Sequence, residues 1–175
     1  MSVFHNAAKT HFSKSTRSVI AALAVIVSLA AAGSAGAATD VAISAGGSST
    51  ASQIWAPALY LDVAGERRPI AGFAWQPIAS VGVIGARDER ADLDRTVAIA
   101  GAGVRLVDWW KHAFFSFQVG YASRETAALS SHGQFISSLG WEGERTIWML
   151  RHISNGNVYG GKNLGETMLL VGLRF

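Results

Sequence analysis

The sequence predicts an all-β protein: an eight-stranded antiparallel transmembrane β-barrel of the bacterial outer membrane, preceded by a cleaved signal peptide. Three observations predict it. The first 37 residues read as an export signal. Beyond them, stretches of about ten residues alternate apolar side chains with small or polar ones, the period of a strand with two different faces. The connections between these stretches are short at one end and longer at the other, and the strand count is even, as in outer-membrane barrels.

Residues 1–37 carry Lys9, Lys14 and Arg17 and no acidic side chain. Val19 to Ala32 is apolar except for Ser28, and Ala35-Gly36-Ala37 places small residues where a signal peptidase cuts. The apolar run is too short for a comfortable membrane anchor, so cleavage after Ala37 is expected. The formal charge of +3 changes with that cut. Three of the fifteen Lys/Arg leave with the signal, so twelve face twelve Asp/Glu in residues 38–175. The high isoelectric point therefore does not argue for nucleic acid, and no basic-aromatic patch supports it. There is no cysteine, so an exported chain must be stabilised without disulfides.

Residues 38–175 suffice for one domain. No run among them reaches the 18 or more apolar residues of a spanning helix. The strand segments are 40–48, 53–63, 70–85, 94–107, 113–123, 132–142, 145–154 and 166–175, with no capped helix between them. In 113–123, Phe115, Phe117, Val119 and Tyr121 share one face, and Ser116, Gln118, Gly120 and Ala122 the other. In 133–141 the faces are Phe135, Leu139 and Trp141 against Gln134, Ser138 and Gly140. In 167–175 they are Leu169, Val171, Leu173 and Phe175 against Gly172 and Arg174. The connections near 65–68, 108–112 and 142–144 are short; those at 86–93, 124–131 and 155–165 are longer and polar or glycine-rich, and only the first loop of that set, near 48–52, is short. With the short turns and both termini on the periplasmic side, the longer loops face outward.

The composition of the faces separates a membrane barrel from a soluble sandwich. The less apolar face is mostly Gly, Ala, Ser and Gln, which suits the filled interior of a narrow eight-stranded barrel. The apolar face then meets lipid. Trp109, Trp110, Trp141 and Phe175 collect near the short-turn end, where a membrane interface would lie. A soluble lipocalin-type barrel would instead turn its apolar faces inward around a cavity.

In segment 145–154, Arg151 is expensive in hydrocarbon and should point into the barrel. Parity then sends Trp148, Leu150, His152 and Ser154 outward, the last two near the outer end of the strand. A polar pair on a lipid-facing wall has no packing purpose, so it is a candidate active site. Serine and histidine are a nucleophile and its general base, and a carboxylate commonly orients the base.

His152-x-Ser154-Asn155, a glycine-containing loop, Asn163-x-Gly165-Glu166 and a strand ending in an aromatic together resemble the lipid A 3-O-deacylases of Gram-negative outer membranes. The likeness covers the mature chain in length and strand plan, and its specific motif lies in 152–166. It implies hydrolysis of the ester at the 3-position of lipid A by a Ser–His–Glu triad, with Ser154 as nucleophile, His152 as base and Glu166 as orienter. Asn155, Gly156 and Asn163 become candidates for oxyanion stabilisation or substrate binding. The implied partners are lipopolysaccharide as substrate and the lipids of the outer membrane; a homodimer is left open. No cofactor is implied, and no His/Cys/carboxylate spacing suggests a metal site.

Two features depart from the family pattern. The loop 157–162 lacks the proline that often stiffens it. Alternation back from Phe175 also places Glu166 on the inward face, opposite His152, unless a bulge near Gly165 turns it round. His132 is a rival base, read as a loop histidine. Arg87, Arg90, Arg95, Arg124 and Lys162 are candidate contacts for lipid A phosphates. The competing function is a non-enzymatic outer-membrane barrel, adhesin-like or structural, in which His152 and Ser154 are incidental.

Overall fold

A computed structural model describes residues 40–51, 55–87, 93–158 and 163–175. The expected signal peptide, Arg90 and Lys162 lie outside the described residues. The chain forms β1 (Asp40–Thr50), β2 (Trp55–Ala64), β3 (Arg68–Ile70), β4 (Phe73–Ile84), β5 (Val97–Val107), β6 (Ala113–Ala122), β7 (Gly133–Glu142), β8 (Thr146–Ser154) and β9 (Glu166–Arg174). From β4 to β9 each strand pairs antiparallel with the next. β9 returns to β1, β1 pairs with β2, and β2 pairs with β4 to close the ring. Eight strands therefore make a closed barrel. Closure pairs each of the eight barrel strands on both sides, which removes the long open edges that recruit other strands.

The ninth element is a refinement of the expected plan. β3 is a three-residue extension that pairs with the start of β4 through Arg68↔Trp75 and Ile70↔Phe73. The predicted segment starting at 70 thus contains a tight reversal, made at Gly72 with a φ of 87°. Prolines bracket the closing seam. Pro57 and Pro77 stand just beyond the β2–β4 ladder, which runs from Ala58↔Ile84 to Ala64↔Ile78. Their missing N–H groups cost no rung there, and their carbonyls still accept from Gly85 and Gly65 at 2.8 and 2.9 Å.

The two faces divide as alternation predicts. Phe115, Phe117, Val119 and Tyr121 are exposed on the outer wall, while Ser116, Gln118 and Ala122 are buried within. Ile43, Leu59, Leu139, Leu150, Leu169 and Leu173 continue the outer apolar surface round the barrel. Inside, the expected small and polar residues share the space with Ile136, Ile147, Met149, Ile153, Met168 and Leu170. A lumen this narrow holds no water column, so large side chains must fill it.

Buried ions in the lumen are paired. Midway, Arg151 donates to Asp62 at 2.8 Å and to the Ser138 hydroxyl at 3.0 Å, and its guanidinium lies 4.5 Å from the centre of the Tyr60 ring. The inward placement expected for Arg151 is what the fold adopts. Toward the short turns, Glu142 gathers Arg105, Arg174 and Arg67, and Arg174 also reaches Asp40 at 3.1 Å. Pairing offsets a desolvation cost that each charge alone would leave uncompensated.

Candidate functional site

His152 and Ser154 lie on the outer face of β8 at its long-loop end. His152 is exposed and Ser154 half-buried. The register sets what surrounds them. His152 stands between Ser137 of β7 and Thr167 of β9, while Ser154 pairs with Phe135. The next outward rung toward the short turns is Leu139–Leu150–Leu169, and the one after it Trp141–Trp148–Val171. A row of three polar side chains thus interrupts an otherwise apolar wall, with Ser154 just above it.

Glu166 does not join this row. No bulge intervenes, and alternation carries the carboxylate into the lumen, where the residue is 2% exposed. There it accepts from the Arg87 guanidinium at 2.8 and 2.9 Å and from the Ser48 hydroxyl at 2.5 Å. The expectation of Glu166 as the orienter of His152 is therefore corrected: the two side chains occupy opposite sides of the sheet. Arg87 is corrected with it. This cation, expected near outer phosphates, is buried inside the barrel, where Glu166 neutralises it.

The partner of His152 is Thr167. Its hydroxyl lies 2.9 Å from His152 Nδ1. With Nδ1–H donating to that oxygen, Nε2 keeps its lone pair, the tautomer a general base requires. Gly165 makes room for the ring. Its φ is +68°, and a Cβ there would sit 2.7 Å from His152 Cε1 and 3.2 Å from Nε2. A larger side chain there is disfavoured by the backbone conformation and would push the imidazole aside. Ser154 Oγ accepts from the Gly156 N–H at 3.4 Å rather than bonding to His152. Hydroxyl and imidazole share the outer face of β8, two residues apart.

The three oxyanion candidates separate. The Gly156 N–H points at Ser154 and is placed to meet charge developing next to it. The Asn155 and Asn163 side chains are used elsewhere. Asn155 is fully buried, donates to Ser130 and Ser131 at 2.9 and 3.1 Å, and accepts from the Asn157 N–H at 2.9 Å. The Asn163 amide is wedged between Asn155 and the Ala128 carbonyl. Ala128 O also receives the Gly165 N–H at 2.9 Å. These amides tie the 155–165 loop to the 123–132 loop, which fixes Gly165 against His152. Their role is to position the loop, not to face an ester.

His132 is held by the Ala122 carbonyl at 2.7 Å and stacked on Tyr121 at 5.0 Å, an anchor for the start of β7. Arg95 and Arg124 remain in the outer loops and line a polar hollow of about 470 Å³ with Asp94, Glu125, Thr126 and Ser130. Comparisons with known protein families, characterised proteins and solved structures gave no match. The functional reading therefore rests on the chain's own sequence and geometry.

Proposed function

We propose that this chain is an outer-membrane serine esterase that removes the ester-linked acyl chain from the 3-position of lipid A. The observation that carries the reading is the polar row Ser137–His152–Thr167, with Ser154 beside it, on an apolar outer wall. Polar side chains among lipid-facing ones are costly and mark function. A substrate for such a site must itself reside in the lipid layer, and at the long-loop end the outer leaflet is the layer within reach.

In this mechanism His152 Nε2 takes the proton of Ser154 Oγ as the oxygen attacks the ester carbonyl. The tetrahedral oxyanion is met by the Gly156 N–H. Collapse breaks the C–O bond to the glucosamine 3-oxygen, which leaves with the proton held on His152. Water then attacks the acyl-serine, returning the proton to Ser154 and releasing the fatty acid. The chemistry uses no metal, so excess EDTA should leave the rate on detergent-dispersed substrate unchanged. Lipid A mass spectrometry, with and without expression of the chain, tests the proposal. Loss of one ester-linked acyl chain supports it; identical spectra would end it.

One observation favours the second reading, a non-enzymatic outer-membrane barrel: among the described residues, the ring partner of His152 is the Thr167 hydroxyl and not a carboxylate. The Thr167 hydroxyl orients the ring but does little for the charge of an imidazolium. Under the esterase reading, Thr167→Val should lower turnover by on the order of tenfold, well short of the roughly ten-thousandfold loss when a triad carboxylate is neutralised. Thr167→Asp should raise turnover, because it places a carboxylate on the outward rung facing His152. Rates unmoved by both substitutions would show that Thr167 does not act through His152.

The outer wall supports membrane residence. Leu59, Val119, Leu139, Leu169 and Leu173 are each at least half exposed, a surface that water would not tolerate. The mature protein should therefore refold only in detergent or lipid and run differently on a gel before and after boiling. An epitope inserted after Glu125 should be reached on intact cells, and one after Glu144 should not. Reversed labelling would place His152 in the wrong leaflet.

A further inference from the structure

We infer that Ser49 of β1 and Trp55 of β2 form a seat for the sugar of the ester lipid, which lies along the outer wall from His152 toward β2. The inference rests on the esterase reading and adds to it the side on which the headgroup is held. Strand register carries it. On the outer face one rung runs Phe117, Ser137, His152, Thr167, Ser49 and Trp55, from β6 round to β2. The polar row therefore does not stop at Thr167. Ser49 continues it across the β9–β1 pair, and an aromatic ring closes it at each end.

The rung is also a ramp. Counted from the loop end of each strand, Phe117 is sixth, Ser137 fifth, His152 third, Thr167 and Ser49 second, and Trp55 first. The tilt of barrel strands produces such a climb. Its low end is set in the apolar wall, and its high end reaches the loops, where headgroups lie. With neighbouring strands about 4.8 Å apart, three strand spacings put Trp55 about 14 Å from His152, more than the width of one sugar ring.

The chemistry of the high end suits a pyranose. Trp55 is 65% exposed, and its indole lies over Gly47, where a Cβ would stand 3.0 Å from Cε3. The ring thus rests close against β1 with most of its surface open. The C–H groups on one side of a sugar carry slight positive charge and an indole face slight negative charge, so the two stack. Ser49 donates its O–H to the Thr50 carbonyl at 3.1 Å and keeps lone pairs to accept with. Thr167, with the imidazole N–H donating to its oxygen, keeps an O–H to give. Sugar hydroxyls, each both donor and acceptor, satisfy the two together. The other flank of Ser154 has a different character: there Ser154 pairs with Phe135, which stacks on Phe117 at 5.8 Å. An ester with its carbonyl at Ser154 therefore turns its sugar toward β1 and β2.

The test uses the full-length mature barrel in detergent and two esters with one acyl chain, methyl 3-O-decanoyl-glucosaminide and p-nitrophenyl decanoate. Trp55→Ala should raise KM for the sugar ester by on the order of tenfold, with kcat little changed, and leave the p-nitrophenyl ester as it was. Trp55→Phe, which keeps a ring, should recover most of the loss. Ser49→Ala should raise the same KM by a smaller factor. Val104→Ala, on the exposed wall of β5, should move neither substrate. A tryptophan that merely anchored the barrel in the membrane would not tell the two esters apart.

A second measurement does not need turnover. The 3-O-decyl ether of the same glucosaminide, with a diazirine on the sugar nitrogen, should label peptides containing Ser49 or Trp55 ahead of those containing Phe117 or Val119. Labelling that favours neither side, or favours Phe117, overturns the seat. So does hydrolysis in which Trp55→Ala and Ser49→Ala treat the two esters alike. Labelling at Trp55 without hydrolysis of either ester would instead retain the seat and reject the esterase.

Discussion

Ser154→Ala is expected to abolish release of fatty acid from lipid A, and His152→Ala to come close to it, each with a loss on the order of a thousandfold or more. Without Oγ no covalent intermediate forms; without the imidazole a neutral hydroxyl meets an ester carbonyl with nothing to take its proton. The two act as one unit, so the double variant should be barely slower than either single one. Neither substitution should weaken the barrel, because both side chains stand on the outer wall and support no packed interior. The measurement is single-turnover release of acyl chains from detergent-dispersed lipid A, with heat-modifiable gel migration as the check on folding. Wild-type rates in Ser154→Ala would remove the mechanism altogether. An inactive His152→Ala beside an active Ser154→Ala would shift the reading to an imidazole that activates water directly.

Much of this site follows from parity alone. Arg151 had to turn inward, and that one constraint sent Trp148, Leu150, His152 and Ser154 outward, where they are found. The same rule, applied back from Phe175 through Leu173, Val171 and Leu169, places Thr167 outward and Glu166 inward. Parity thus places the Thr167 hydroxyl, and not the Glu166 carboxylate, on the face that His152 shares. What alternation cannot supply is register. That His152 faces Thr167 depends on how the 155–165 connection divides between loop and strand.

Loop residues carry no period at all, which is why Arg87 read as an outer cation and is instead an interior one. Its burial follows from the long-range partner Glu166, 79 positions away. The side chains of Asn155 and Asn163 are ambiguous in the sequence for a related reason. Short polar side chains after a strand suit oxyanion contacts and loop-to-loop bonds equally well, and only the position of Ala128, Ser130 and Ser131 decides between them.

Glu166→Ala is expected to destabilise the barrel, not merely to slow it. The substitution leaves the Arg87 guanidinium, with a side chain 3% exposed, without its carboxylate. Removing one member of a buried pair typically costs about 3–5 kcal/mol, since the remaining charge stays desolvated. The Ser48 hydroxyl loses its acceptor at the same time. Because Glu166 begins β9 one residue before Thr167, loosening of this end should also disturb the outward rung, so activity falls with stability and the variant mimics a broken triad. The double variant Arg87→Met with Glu166→Leu separates the two causes. It removes both charges and replaces them with apolar volume, an exchange that is often neutral or stabilising. Its urea midpoint in micelles should return toward wild type, and its turnover should return with it, since Thr167 and Gly165 again hold the imidazole. A double variant as stable as wild type yet as inactive as Ser154→Ala would show that the Glu166 carboxylate serves His152 after all, through a rearrangement of the 155–165 loop that turns it outward.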